Sequence, residues 1–165
     1  MEDIVGTVRR ALCDPAAEVR ASSARAFDSL YKQLGQRAIE EVVPALLEGL
    51  DDESGHALKG LQQLLTLRGK IILPFLVPQL SAPPMTASNA RALAALAGVS
   101  GDSLSSRIPT ILGALSDGME EGDDPEAIAL AAEKVVLSVP QDGVRLMLLE
   151  LIRRLEDVTT PKTRA

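Results

Sequence analysis

Proline and two aliphatic residues recur in register three times along this chain. Pro44, Leu47 and Leu50 return as Pro74, Val77 and Leu80 and again as Pro109, Leu112 and Leu115, in frames 30 and 35 residues apart. A period of this length is made by a supersecondary unit that cannot bury its apolar face alone and needs neighbours of the same kind. A proline costs a helix least in its first turn, where the N–H it lacks has no helical partner. The register therefore places the three prolines near the starts of second helices. Pro78 follows Pro74 by four and predicts a kink or a late helix start.

Helical periodicity fills the rest of the chain. In 19–34, Val19, Ser23, Ala26, Phe27, Leu30 and Leu34 form one stripe, and Ile39, Val42, Val43, Leu46, Leu47 and Leu50 form another. Asp14 with Pro15 reads as a helix cap with proline in the first helical position, and Gly35 as the stop between the two helices. A helix around 55–67 leads through Gly69 into 71–80. Two more pairs follow, at 86–97 with 104–116 and at 125–138 with 141–157. The expected fold is all-α: a HEAT/armadillo-like solenoid, a right-handed superhelix of about four antiparallel helix pairs. The pairs span about 4–50, 55–80, 86–116 and 125–157, in one domain over 1–158 with a flexible tail over 159–165. A compact α-bundle is the alternative.

Small residues support stacking. The stretch VRASSARAFDSL at 19–30 holds Ala21, Ser22, Ser23, Ala24, Ala26 and Ser29 in one amphipathic helix. Such a helix is narrow enough to lie between close neighbours. Aromatic residues make up only 2% of the chain and tryptophan is absent, so the core is aliphatic.

Catalytic chemistry finds little to work with. Cys13 and His56 are the only residues of their types and fall in different units, so neither a thiol–imidazole pair nor a four-ligand zinc site assembles from one chain. Cys13 reads as a small buried hydrophobe and His56 as a solvated residue near a helix start. Gly98, Gly101, Gly113 and Gly118 lack the lysine and hydroxyl spacing of a phosphate loop. Asp117, Glu120, Glu121, Asp123, Asp124 and Glu126 lack a calcium-loop register and read as a solvated inter-helix loop. The expectation is a protein that is not an enzyme, with no cofactor and no metal.

Charge is the most informative functional feature. The net charge of -6 argues against a general nucleic-acid clamp, and no direct DNA contact is expected. No acid lies between Glu53 and Asp102, whereas Lys59, Arg68, Lys70 and Arg91 fall inside that window and Arg107 just beyond it. These five are the candidate protein-binding residues. Arg20 reads as part of a structural ladder, reaching the acid of the preceding turn, Asp14, or Asp51 of the next unit. The leucine-rich 145–158 reads as an end helix covering the last repeat. Glu150, Glu156 and Asp157 dilute its basic face against a membrane role. IILPFLV is short and broken by Pro74, no signal peptide is evident, and a lone cysteine suits a reducing compartment. A cytoplasmic location is expected.

LCDPAAEVRASSARAFDSL at 12–30, PALLEGLDDE at 44–53, ILPFLVPQLSAPP at 72–84, NARALAALAGVSGDSLSSRI at 89–108 and AEKVVLSV at 132–139 occur in an order and spacing that resemble a known family. It is the general-control-nonderepressible translational activator family, in its C-terminal HEAT region. The resemblance implies a ribosome-associated scaffold that helps switch on the amino-acid-starvation kinase by docking its RWD domain. It leaves open which partner belongs to this stretch: the RWD domain, the ribosome, or none in a passive spacer. Exposed terminal repeats add a risk of self-association.

Overall fold

A computed structural model describes residues 2–159 apart from 53. The tail expected over 159–165 lies, from 160 onward, outside the described residues. The described residues are predominantly helical: α1 (Glu2–Leu12), α2 (Ala17–Leu34), α3 (Gln36–Glu48), α4 (His56–Leu80), α5 (Ala87–Ser100), α6 (Ile108–Glu121), α7 (Pro125–Leu137) and α8 (Gln141–Thr159). Short 3-10 segments run over Gly49–Asp51 and Gly101–Arg107. Helices α2, α4, α5 and α7 follow one another in contact, while α1, α3 and α4 form a second succession, joined through the 3-10 segment Gly101–Arg107 to α6 and α8. This is an α-solenoid of the HEAT/armadillo kind.

One continuous aliphatic core runs through the stack. Leu12, Phe27, Leu46, Leu61, Leu64, Ile72, Leu76, Leu104 and Ile108 are fully buried. Each such side chain contributes roughly 1.5–3 kcal/mol through the apolar surface it removes from water. Of the small residues of α2, Ser23 and Ala24 lie against a neighbour, whereas Ser22, Ala26 and Ser29 are exposed. Ala24 is buried, and the Ser23 hydroxyl donates 3.0 Å to the Val8 carbonyl of α1. On the next layer Gly60 of α4 sits directly over the Leu12 carbonyl, in space that a Cβ would occupy.

The inward stripe of α2 keeps Ser23, Phe27, Leu30 and Leu34 from the periodicity but not Ala26, which is exposed. Val19 is exposed, and Arg20 takes its place among the buried positions with Ser23, Ala24 and Phe27. The Arg20 guanidinium donates to the main-chain oxygens of Asp14, at 2.6 Å, and Pro15, at 2.8 Å. It reaches the preceding turn through carbonyls rather than through the carboxylate of Asp14. That carboxylate instead accepts from the Ala16 N–H at 2.8 Å, so the cap-like turn lies ahead of the helix and Pro15 stays outside it.

The prolines are also placed differently from expectation. Pro109 does sit at the first turn of α6, but Pro44 lies inside α3 and Pro74 and Pro78 inside α4. Pro74 and Pro78 are exposed and Pro44 half-buried, so the carbonyls that lose their helical bonds lie toward solvent or an open groove. The break in α4 falls at Arg68, whose φ of -140° and ψ of 36° are not helical. It divides α4 into 56–67 and 69–80, which restores the second helix pair.

Candidate interaction grooves

Each repeat proline lines a groove. Pro44 stands with Val5, Arg9, Glu40 and Glu48 between α1 and α3. Pro74 stands with Lys70, Leu73, Ser103, Ser106 and Arg107 between the second half of α4 and the 3-10 segment. Pro109 stands with Met85, Gly113, Glu150 and Arg154 in a groove of about 690 Å³ between α6 and α8. The recurrent proline therefore marks a recurrent opening along the second-helix succession, and the charge of that opening changes from unit to unit. The first is predominantly acidic, the second basic and the third mixed.

In the third groove Asp117, Glu150, Arg153 and Arg154 are paired with one another. Glu150, 8% exposed, accepts from Arg153 at 2.8 Å and from Arg154 at 2.9 Å, and Arg154 reaches across to Asp117 of α6 at 2.8 Å. The bond from Arg153, joined by that from Arg154, holds the Glu150 carboxyl below the usual carboxylate range, although burial alone would push it up. Asp117 is thus the far end of an α6–α8 bridge. It lies within α6 with Glu120 and Glu121, and Asp124 caps α7 by accepting from the Ala127 N–H at 3.0 Å. Only the short stretch between those helices is a loop.

The five cations of the basic window do not form one patch. Lys70 and Arg107 share the second groove, where neither makes an ion pair among the described residues. Arg91 rims a different groove, between α5 and α7, opposite Lys134 and over a floor of Ala94, Ala95, Ala131 and the exposed Leu130. Arg68 is bonded to Asp28 of α2, which also pairs with Lys32 at 3.0 Å. The bond from Arg68, seconded by Lys32, brings the Asp28 carboxyl down to about 2. Lys59 stands exposed in the first turns of α4, apart from both basic grooves.

Ser103, Ser106 and Lys134 are participants that the sequence did not single out. The serines were legible in principle. In a 3-10 segment residues three apart eclipse, so Ser103 and Ser106 must share a face beside Arg107. Lys134 lies seven residues after Ala127 and four after Leu130, on the helical face that lines its groove.

His56 opens α4, its N–H donating 3.3 Å to the Ser54 hydroxyl. Cys13 is half-buried; burial, with a smaller effect from nearby Asp52, pushes its thiol up and away from nucleophilic thiolate. Among the described residues no group of three or more His, Cys, Asp or Glu is placed to hold a metal ion, and no helix is long and apolar enough to cross a membrane.

Stacked helix pairs, an aliphatic core and open inter-helix grooves with contrasting charge define an α-solenoid interaction module. The family described as "Stalled ribosome sensor GCN1-like, HEAT repeats" matches residues 72–165. The chain is 40% identical over 157 residues to the human protein named "Stalled ribosome sensor GCN1", across 92% of this chain. It is 38% identical over 160 residues to the Saccharomyces cerevisiae "eIF-2-alpha kinase activator GCN1", across 93% of this chain. The Arabidopsis thaliana "Protein ILITYHIA" is 42% identical over 109 residues, which are 65% of this chain and 4% of that protein. The chain belongs to the GCN1 family of HEAT-repeat proteins. It spans only 6% of the length of the human and yeast relatives. No solved structure matches it.

Proposed function

We propose that this segment is a non-catalytic, cytoplasmic protein-interaction module in the C-terminal HEAT region of its family, and that it recruits the RWD domain of the starvation-responsive translation-initiation-factor kinase. One HEAT-like domain over 1–158 would present the docking surface. The observation that carries the reading is the near-complete match to a yeast protein named as an eIF-2-alpha kinase activator. The cations of two open grooves make no ion pair among the described residues, which gives that reading a physical basis, because charge left unneutralised within a fold is available to a partner.

Titration calorimetry of the folded chain with the isolated RWD domain, at low and high salt, tests this. Saturable one-to-one binding that weakens with salt is the expected result. An absence of heat at both salt concentrations would overturn it.

The human relative's name, a stalled ribosome sensor, favours a second reading in which the basic grooves contact the ribosome. Binding to ribosomes with a steep salt dependence, and none to the RWD domain, would select it.

A further inference from the structure

We propose that the groove between the second half of α4 and the 3-10 segment is a carboxylate-binding site that takes an acidic side chain from an extended segment of a partner protein. Lys70 is exposed and Arg107 half-buried, and they face a common opening of about 250 Å³ with the hydroxyls of Ser103 and Ser106. Two cations and two hydroxyl donors are a complete set for a planar oxyanion. Arginine can grip both carboxylate oxygens, lysine adds a point charge, and each hydroxyl supplies a further hydrogen. Among the described residues neither cation makes an ion pair and no carboxylate lines the groove.

The remaining wall distinguishes a peptide from other anions. Leu73 and Pro74 provide an apolar surface beside the charges. Pro74, inside the helix, has no N–H to give to the Lys70 carbonyl, which leaves that oxygen without its helical bond. A peptide offers all three complements at once: a carboxylate, an apolar neighbour and a main-chain N–H. A nucleic-acid backbone offers repeated phosphates and would call for a longer basic track than one lysine and one arginine. The first groove, with Glu40, Glu41 and Glu48 around Arg9, would repel the same segment, so adjacent units impose a direction on it.

This inference rests on the protein-interaction reading and is separable from it. The test is a titration of the isotope-labelled chain with a short peptide of alternating Asp, Glu and Leu, followed by amide shifts. The Asn/Gln/Leu counterpart and a short RNA duplex serve as controls. Shifts centred on Lys70, Ser103, Ser106 and Arg107 are expected with the acidic peptide alone. The double variant Lys70→Glu/Arg107→Glu should weaken binding by roughly tenfold or more, and Ser103→Ala/Ser106→Ala by a lesser factor. Lys70→Gln/Arg107→Gln provides the same comparison should the reversed charges disturb folding.

Equal binding of the uncharged peptide, shifts elsewhere, an affinity indifferent to the double variant, or preference for RNA would each overturn the proposal. RWD binding that survives the double variant would reject this groove as its docking point while leaving the recruitment reading intact.

Discussion

The two ends of the stack are built from opposite materials. Helix α1 buries Val5, Val8 and Leu12 against its neighbours, and the layer behind it closes so tightly that Gly60 lies over the Leu12 carbonyl. Helix α8 turns Gly143, Met147, Glu150 and Arg154 inward, and its contact with α6 combines the close approach of Gly143 to Ile108 with an ion-pair bridge from Arg154 to Asp117. Its leucines point away: Leu148, Leu149, Ile152 and Leu155 are each about half exposed or more. Apolar burial stabilises a layer outright, whereas an ion pair largely offsets its own desolvation. The first end is therefore a self-sufficient interface, and the last presents an apolar face suited to further association. The end helix expected to cover the last repeat with its leucines instead shows them outward.

Substitution at Phe27 gives the largest expected contrast. Phe27→Ala should cost about 3–5 kcal/mol in chemical denaturation. Leu149→Ala on the outer face of α8 should stay within about 0.5 kcal/mol in the isolated chain. Comparable losses at both positions would erase the distinction between the ends.

Glycine substitutions probe the same difference in backbone approach. Gly60→Ala should lose about 1–3 kcal/mol, because the main chain at Leu12 cannot step aside as a side chain would. Gly98→Ala, in open space within α5, should raise the unfolding free energy by up to about 1 kcal/mol through helix propensity.

A smaller effect sharpens the polar end. Glu150→Gln should cost about 1–2 kcal/mol by weakening the bonds from Arg153 and Arg154. Because Glu150 titrates lower when folded than when unfolded, its contribution is present above the ordinary carboxylate range and is lost as pH falls through its folded value.

The smallest effect is the Asp28 tie to Arg68, partly exposed and screened by solvent. Its stabilisation is full above the ordinary value of 3.8 and disappears as pH falls toward about 2. Asp28→Asn should remove that part of the acid dependence in a pH series of denaturation midpoints, while leaving the Glu150 part.

Much of this architecture was legible because helical periodicity survives in each layer. Gly35 and Gly69 mark true boundaries, and the inward positions of α3 match the periodic stripe. What escaped depends on contacts between layers. Arg20 is invisible as a core residue on a helical wheel, since only the nearby Asp14 and Pro15 carbonyls make its burial tolerable. Pro44 and Pro74 lie inside helices whose other faces are buried, so the core contacts of Val43, Leu46, Leu73 and Leu76 outweigh the local cost of proline.

The candidate site was legible as a charge window but not as geometry. Lys70 and Arg107 converge only because stacking brings α4 beside the 3-10 segment, and Arg91 finds Lys134 only across α5 and α7. Arg68, grouped with them by sequence, is drawn aside by an acid in α2, a helix outside the window.

Amide hydrogen exchange of the folded chain, alone and saturated with the RWD domain, tests the central claim most directly. Protection confined to 69–74 and 101–107, with the outer face of α8 unchanged, is the predicted pattern. An unchanged exchange map, or protection only along α8, would contradict docking through the basic groove.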